Sequence, residues 1–323
     1  MAQALVTGVA GFIGSHLAER LLAGGWRVRG IDNFDPYYDR AVKERNLLAL
    51  READAFEWRE ADLAETDVAR LLDGVDCVFH LAARPGVRLS WGEPFADYVR
   101  ANLLATQRLL EALAAQPATR LVFASSSSVY GQGTGGENSE TAPLKPISPY
   151  GVTKLAGEAL VTAYHASHGI PAVSLRYFTV YGPRQRPDMA MNRFLRALLE
   201  EREIEIYGDG LQTRDFTYVA DIVEATVSAA ERGRPGVCYN IGGGTPASVL
   251  EVIEILSRAT GKAARKRFLA VQPGDPRATR ADVSRARADL DFRPRVGLHE
   301  GLERMAAWME ALSPSTIGGG DQA

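Results

Sequence analysis

Two side chains four residues apart give the first indication of chemistry in this sequence. Tyr150 and Lys154 lie in the segment Pro-Tyr-Gly-Val-Thr-Lys, just inside a predicted helix, and residues at this spacing share a helix face. A cation beside a phenol favours the phenolate, so we predict that the pKa of Tyr150 falls from about 10 toward neutrality, by roughly three units. Tyr150 would then be a usable base. The same spacing is also typical of a solvated surface pair.

A glycine-rich turn near the start of the chain adds a second indication. The apolar run at residues 4–7 predicts a strand, which is followed by Gly8, Gly11 and Gly14 and then by a helical pattern at residues 15–23. Backbone N–H groups at such a turn bind a pyrophosphate, and the absence of side chains lets the phosphates approach. The turn therefore predicts a dinucleotide site, although this spacing of glycines also occurs by chance.

The end of the next predicted strand indicates which dinucleotide. The strand at residues 26–31 leads to Asp32, and Asn33 rather than an arginine follows. A carboxylate at this position binds both ribose hydroxyls of adenosine and repels a 2′-phosphate. We therefore predict NAD rather than NADP, with a solvated Asp-Asn turn as the alternative.

Alternating strands and helices must position these residues. Further strands are predicted at residues 56–60, 75–80, 121–124 and 172–177, and helices at residues 94–115 and 150–168. This alternation predicts an α/β fold with a Rossmann-type doubly wound parallel sheet, whose ligands lie beyond the C-terminal ends of the strands. The serines at residues 125–128 follow one of these strands and are expected to face the ligand. A plain serine-rich turn is the alternative.

The regular alternation loosens after residue 177. We predict a cofactor-binding domain at residues 1–177, with segments near 211–241 returning to it, and a smaller lobe at residues 178–312 that mainly binds the substrate. Residues 313–323 are rich in Gly, Ser and Asp and are predicted to form a disordered tail.

Composition excludes several classes of partner. The chain has 323 residues and a formal net charge of -3 without a polybasic run, so we expect no nucleic acid partner. No apolar run approaches the length of about 18 residues that a membrane span needs. Cys77 and Cys238 show neither metal nor redox spacing, so we predict no metal site and a cytoplasmic location.

Five motifs occur in an order that resembles a known family. They are the glycine turn, Asp32 with Asp62, the serine-rich strand end, Tyr150 with Lys154, and the pair of segments at residues 207–210 and 214–218. Together they resemble the extended short-chain dehydrogenases/reductases, specifically the nucleotide-sugar epimerases, over residues 1–312. Residues 80–88 and 178–190 most resemble the UDP-glucuronate 4-epimerases.

The resemblance implies an NAD-dependent epimerase that acts through a transient 4-keto sugar. Tyr150 is the expected base at the C4 hydroxyl, Ser126 is expected to hydrogen-bond the reacting oxygen, and Lys154 to lower the pKa of Tyr150 and bind the nicotinamide ribose. The resemblance implies cofactor contacts from Gly8, Gly11, Phe12, Ile13, Gly14, Asp32, Asn33, Asp62, Leu63, Leu81, Ala82, Ala83, Asn102, Tyr150, Lys154 and Tyr177.

A UDP-sugar is the substrate that the resemblance implies. Oxidation of a glucuronate at C4 gives a β-keto acid, so its carboxylate must be held against loss of carbon dioxide. The expected donors are Ser127, Ser128 and Thr179, with Arg186 or Arg88 nearby. The UDP moiety is expected to contact Asn192, Tyr207 and Arg214. Gln272 stands where these epimerases commonly have an arginine, and either Arg277 or Arg280 is expected to supply the missing charge.

Alternatives remain open at this level. The first is a UDP-glucose or UDP-N-acetylhexosamine 4-epimerase, in which the position of Thr179 is usually Asn. The second is a UDP-glucuronate decarboxylase, although those enzymes typically carry an acid where this chain has Ser127 and Ser128. A non-catalytic NAD-binding sensor is the third. The resemblance also implies a homodimer formed by paired helices, one of them at residues 150–168.

Overall fold

Strands and helices alternate through most of the chain. The computed structural model describes residues 1–133 and 136–312, so the predicted tail at 313–323 lies outside the described residues. The strands are β1 Gln3–Thr7, β2 Arg27–Asp32, β3 Phe56–Glu60, β4 Cys77–His80, β5 Arg120–Ser126, β6 Ala172–Tyr177, β7 Thr179–Tyr181, β8 Glu203–Tyr207, β9 Thr213–Tyr218, β10 Cys238–Ile241, β11 Pro246–Ser248 and β12 Arg265–Leu269. The α-helices are α1 Phe12–Ala23, α2 Arg40–Arg51, α3 Val68–Leu71, α4 Phe95–Val99, α5 Ala105–Ala114, α6 Pro149–His168, α7 Ala190–Leu199, α8 Val219–Arg232, α9 Val249–Thr260, α10 Ser284–Leu290 and α11 Leu298–Glu310.

A seven-stranded parallel sheet forms the centre of the molecule. Its strand order is β10-β6-β5-β4-β1-β2-β3, so the order reverses at β1 and opens a crevice there. Ala4 and Val6 belong to one hydrophobic core and Leu5 to another, which shows that β1 is buried on both faces. The predicted doubly wound α/β fold is confirmed.

The helix that carries Tyr150 has well-defined ends. The Ser148 side chain accepts a hydrogen bond from the Gly151 N–H at 3.1 Å, and Pro149 occupies the first turn, where its missing N–H is harmless. Gly169 ends the helix in a left-handed conformation with φ of 73°. The helix predicted at residues 150–168 is thus confirmed and begins one residue earlier, which places Tyr150 in its first turn.

The helix predicted at residues 94–115 is not uniform. A π-helical segment, Arg100–Leu104, separates α4 from α5. Such widened turns occur often at functional sites. Here the wide turn carries the buried Asn102.

The smaller lobe contains two short sheets. β11, β9 and β7 form one, and β12 pairs with β8 in the other. Within the segment 211–241, which we expected to return to the main sheet, β10 does so beside β6. In contrast, β9 lies in the three-stranded sheet because it pairs with β7 and β11. Helices α2, α3 and α10 and strands β7, β11 and β12 were not predicted.

None of the helices in the described parts of the chain is long and apolar enough to cross a membrane.

Candidate functional site

A cleft lies along the C-terminal ends of the central strands. Most of the residues that we predicted to bind the cofactor line this cleft. They are Gly8, Gly11, Phe12, Ile13, Gly14, Asp32, Asn33, Asp62, Leu63, Leu81, Ala82, Ala83, Tyr150, Lys154 and Tyr177. Asn102 is buried behind this surface. The structure therefore brings together residues from the ends of five strands and from α6.

The glycine turn is too tight for side chains. Gly8 has φ of 72°, and a Cβ there would lie 2.9 Å from the Ala82 nitrogen. A Cβ on Gly14 would lie 2.2 Å from the Gly8 carbonyl oxygen. Because these contacts leave room only for glycine, the start of α1 approaches the cleft with its backbone N–H groups uncovered. This arrangement fits a pyrophosphate.

Asp32 is anchored where β2 ends at the cleft. Its carboxylate accepts hydrogen bonds from the backbone N–H groups of Phe34 at 2.9 Å and Ala10 at 3.2 Å. Burial raises the pKa of Asp32, while Lys43, whose Nζ lies 3.6 Å from Oδ1, opposes that rise. Asn33 donates to Asp62 at 3.1 Å, so it too is held in place.

Lys43 is a cleft residue that the sequence analysis missed. It lies on the buried face of α2 and donates to the Asp35 carbonyl at 3.0 Å. The signal that could have located this helix is Asp39, whose side chain caps α2 by accepting from the Ala41 N–H. Tyr37, Tyr38 and Arg84 also line the cleft and were not predicted.

Ser126 and Tyr150 meet where β5 ends and α6 begins. Burial raises the pKa of Tyr150, whereas a hydrogen bond with Ser126 and the charge of Arg186 act to lower it. Ser126 in turn accepts from the Ser128 N–H at 3.2 Å and donates to the Ser128 hydroxyl at 3.1 Å. The geometry is that of a phenol with a hydroxyl fixed beside it.

Lys154 does not act on Tyr150 as predicted. Its Nζ donates to the Ala124 carbonyl at 2.9 Å, and burial lowers its own pKa to about 8, against the opposing charge of Glu158. The prediction that Lys154 draws the pKa of Tyr150 toward neutrality is therefore wrong, because burial raises that pKa and the groups that oppose the rise are Ser126 and Arg186. Lys154 still lines the cleft beside Tyr150.

The predicted carboxylate donors Ser127, Ser128 and Thr179 lie near Ser126, at the ends of two neighbouring strands. Ser126 at the end of β5 pairs with Tyr177 at the end of β6. A 3-10 turn begins at Ser127, directly after β5, and strand β7 begins at Thr179, shortly after β6. Arg186 lines the same cleft, where Asp188 holds its guanidinium through two bonds of 2.9 Å. A fixed cation therefore lines the same cleft as Tyr150.

A second group of predicted residues lies where Arg88 contacts the smaller lobe. The Arg88 guanidinium lies 4.1 Å from the Tyr207 ring centroid and pairs with Asp275 at 2.8 Å. Burial lowers the pKa of Arg214, Asp275 opposes this change, and Arg88 reinforces it. Among the described residues, the one hydrogen bond of the Arg214 side chain is to the Thr213 carbonyl. These features mark a cationic site with capacity for an anion.

Asn192 and Arg277 differ in their surroundings. Asn192 is buried, donates to the Gln185 carbonyl at 2.6 Å, and has an Oδ1 without a hydrogen-bond partner in the described structure. Arg277 is exposed, and Asp209 binds its guanidinium at 2.7 and 2.9 Å. The structure thus leaves Asn192 with an unused acceptor and places Arg277 in an ion pair. No group of acidic, His or Cys side chains in residues 1–133 and 136–312 has the arrangement of a metal site.

Comparison with known proteins identifies the family. The model of the NAD dependent epimerase/dehydratase family matches residues 4–242. The chain belongs to this family. The resemblance predicted from the motifs is therefore confirmed.

Relatives from this epimerase/dehydratase family match nearly the whole chain. The uncharacterized UDP-glucose epimerase YtcB of Bacillus subtilis (strain 168) is 46% identical over 312 residues, which cover 95% of this chain and 98% of YtcB. The UDP-glucuronate 4-epimerase of Thermodesulfobacterium geofontis (strain OPF15) is 39% identical over 308 residues, which cover 94% of this chain and 95% of that epimerase. The crystal structure of UDP-glucuronic acid 4-epimerase from Bacillus cereus, in complex with UDP-glucuronic acid and NAD, matches with a TM-score of 0.93 and 46% identity. The match covers 95% of this chain and 99% of the Bacillus cereus chain.

The environment of Tyr150 predicts its titration in this epimerase/dehydratase. Because burial disfavours the phenolate, Tyr150 should titrate above the ordinary tyrosine pKa of about 10 in the ligand-free protein. Ser126→Ala should raise that pKa further, since a hydrogen bond that stabilises the phenolate is lost. Ultraviolet difference titration against Tyr150→Phe measures both values. A wild-type pKa below 10, or a lower pKa in Ser126→Ala, would contradict this description.

Proposed function

We propose that the protein is an NAD-dependent 4-epimerase that interconverts UDP-glucuronate and UDP-galacturonate through a transient 4-keto sugar. The observation that carries this proposal is that Tyr150 and Lys154 line the same cleft as the glycine turn, with Ser126 as a hydrogen-bond partner of Tyr150. The Bacillus cereus structure with UDP-glucuronic acid and NAD supports it by its similarity over 95% of the chain.

The residues of the cleft would hold NAD along the ends of the central strands. The glycine turn would bind the pyrophosphate, and Asp32 with Asn33 the adenosine ribose. Bound there, NAD supplies a reversible hydride acceptor for the sugar. We propose that the cofactor-binding domain comprises residues 1–177 together with β10, and that residues 178–312 mainly bind the UDP-sugar.

Tyr150, Ser126 and Lys154 have separate tasks in this proposal. Tyr150 takes the proton from the C4 hydroxyl and later returns it, while the Ser126 hydroxyl donates to the same oxygen. Lys154 donates one of its three N–H groups to the Ala124 carbonyl, and the other two can donate to the nicotinamide ribose. In the ligand-free protein Tyr150 is a neutral phenol, so the base must form in the loaded cleft.

Arg186 is the most direct feature that favours a carboxylate on the sugar. Its guanidinium lines the same cleft as Tyr150, and Asp188 binds its Nε and Nη2, which leaves Nη1 to donate to a carboxylate. We propose that Arg186, Ser127, Ser128 and Thr179 hold the C5 carboxylate, with Arg88 at the nucleotide side. Fixed donors keep the negative charge on the carboxylate and so oppose the loss of carbon dioxide from a β-keto acid.

Arg214 is the residue that we assign to the pyrophosphate of UDP. It is a mostly enclosed cation beside Arg88, and a pyrophosphate would supply the charge-assisted hydrogen bonds that it has not formed. Asn192 would offer its free Oδ1, and Tyr207 would lie beside the uracil. Because Arg277 is already bound to Asp209, the structure supports Arg214 before Arg277 as the main contact.

Two related activities remain alternatives. YtcB, at 46% identity, is described as a UDP-glucose epimerase, so a substrate without a carboxylate is the first alternative. A decarboxylase would need a proton donor beside the keto carbon, and the strand end offers Ser127 and Ser128 there instead of an acid. A non-catalytic NAD sensor would have no use for Ser126, Tyr150 and Lys154 together.

We further propose that the protein is a cytoplasmic homodimer. Three small residues on the outer face of α6, Ala159, Thr162 and Ala166, are exposed, and Val152 on the same helix is 47% exposed. Val99 and Leu104, near α4 and α5, are also exposed. These faces suit helix pairing with a second copy. Light scattering should give twice the chain mass of 35.0 kDa, and a monomer would refute the dimer.

A panel of UDP-sugars tests the substrate. With NAD supplied, the purified protein should epimerise UDP-glucuronate at least about tenfold faster than UDP-glucose or UDP-N-acetylglucosamine, because only the carboxylate engages Arg186. Comparable rates on all three would contradict the substrate assignment. Stoichiometric release of carbon dioxide would establish the decarboxylase instead.

A conservative variant tests whether the protein is a catalyst at all. Tyr150→Phe should bind NAD as the wild type does and lose turnover by about 10²-fold or more, because the proton acceptor is gone. Calorimetry measures the binding and the sugar assay measures the turnover. A fully active variant would refute the role of Tyr150.

Two arginine variants test the nucleotide site. Arg214→Met should raise the Kd for UDP by about thirtyfold or more, since removal of a buried charge partner costs about 2 kcal/mol at least. Arg277→Met, the matched control, should change it by less than about threefold, because that guanidinium is exposed. Titration calorimetry with UDP gives both constants. Equal losses in the two variants would contradict the assignment to Arg214.

A further inference from the structure

A chain of buried polar side chains runs behind the cleft, from the end of β1 to the first turn of α6. Its members are Thr7, His80, Thr106, Asn102 and Thr153, each at most 2% exposed. In the described part of the chain, none of these five residues lines the cleft. Buried polar groups are almost always paired, so the protons in such a chain can be assigned by counting donors and acceptors.

The Thr7 hydroxyl fixes one side of the His80 ring. Its oxygen accepts hydrogen bonds from the Leu81 N–H at 3.1 Å and the Ala82 N–H at 3.0 Å, which uses both lone pairs. Its own proton then has one neighbouring acceptor, the His80 Nδ1 at 2.8 Å. Nδ1 must therefore carry a lone pair rather than a proton.

The Thr106 hydroxyl fixes the other side of the ring. It donates to the Asn102 carbonyl at 2.8 Å, which leaves its oxygen free to accept from the His80 Nε2 at 2.9 Å. The proton of the imidazole is therefore on Nε2 and the ring is neutral. Burial and the charge of Lys154, which like His80 lies against the Phe123 ring, lower the pKa of His80 to about 3, in agreement with a neutral ring.

Both ends of this chain reach the proposed site. At one end, Thr7 holds the Leu81–Ala82 turn, whose backbone lies so close to Gly8 that a Cβ there would be 2.9 Å from the Ala82 nitrogen. At the other end, the Asn102 Nδ2 donates to the Thr153 hydroxyl at 2.9 Å. Thr153 donates to the Tyr150 carbonyl at 2.8 Å.

We propose that His80, as the neutral Nε2–H tautomer, is a positioning residue that joins the cofactor-side turn at Leu81–Ala82 to the backbone of Tyr150. The π-helical segment Arg100–Leu104 is part of this connection, because it presents both the Asn102 carbonyl and the Asn102 side chain. The expected effect on turnover rests on the proposed epimerase function. The assignment of the ring proton does not.

Nuclear magnetic resonance of the wild-type protein labelled in its 5 histidines tests the ring directly. His80→Gln identifies the His80 signals by their loss. We expect the shifts of a neutral Nε2–H ring that do not change across the range in which an exposed histidine titrates, around a pKa of about 6.5. A proton on Nδ1, or a titration near that value, overturns the proposal whether or not the protein is an epimerase.

Two variants of Thr106 test the positioning role. Thr106→Val keeps the shape but removes both the acceptor for His80 and the donor to Asn102, so kcat for UDP-glucuronate should fall about tenfold with KM and NAD affinity within about twofold. Thr106→Ser restores the hydroxyl and should restore kcat. Unchanged kcat in Thr106→Val, a change in KM alone, or no recovery in Thr106→Ser overturns the role. Thr106→Ala replaces Thr106→Val if the latter does not fold.

If the wild type does not turn over UDP-glucuronate at all, the proposed function fails, and the histidine spectrum alone then decides the inference.

Discussion

Burial of the Lys154 ammonium is the constraint on which the catalytic region depends. A buried cation is costly unless the surrounding groups compensate for lost water. The Ala124 carbonyl accepts one of its protons, and the carboxylate of Glu158, one helical turn later, opposes the fall of its pKa. Because Lys154 is in α6 and Ala124 is in β5, the same hydrogen bond fixes the helix against the sheet.

Glu158 extends this compensation into the sheet. Its carboxylate accepts from the Ser125 hydroxyl and pairs with Arg176 on β6, both charges being at most 8% exposed. Arg176 also donates to the Tyr130 hydroxyl at 2.7 Å, and Tyr130 donates to Asn240 on β10. Three neighbouring strands are thereby held to the helix that carries Tyr150. Ser126, next to Ser125, takes its position from this network and not from its own contacts alone.

The sequence predicted the features that local chemistry determines. Strand 172–177 and helix 150–168 have clear apolar patterns and clear ends, and both are present in the structure. The glycine turn and Asp32 were placed correctly because their spacing is set by the strand-turn-helix unit. The pKa of Tyr150 was not predicted correctly, because burial depends on residues distant in the chain. Lys43 was missed with its helix, and the surroundings of Arg277 and Arg214 depend on loops that carry no periodic signal.

The proposed preference for a carboxylated sugar depends on fewer residues than the proposed chemistry at C4. The cofactor cleft and the pair of Ser126 and Tyr150 would suit any UDP-hexose. In the proposed function, Arg186, held by Asp188, distinguishes a glucuronate, and it lines the same cleft as Tyr150. The relatives at 46% and 39% identity carry the names uncharacterized UDP-glucose epimerase and UDP-glucuronate 4-epimerase, so the names of the relatives differ in the sugar.

The central claim is that the hydrogen at C4 leaves the sugar and returns to the same carbon within the site. It is tested most directly with UDP-glucuronate that carries deuterium at C4, converted in ordinary water and analysed by mass spectrometry. The proposed mechanism predicts that the UDP-galacturonate formed retains the deuterium at C4. Loss of the label to solvent would contradict it, because the hydrogen would then have left as an exchangeable proton.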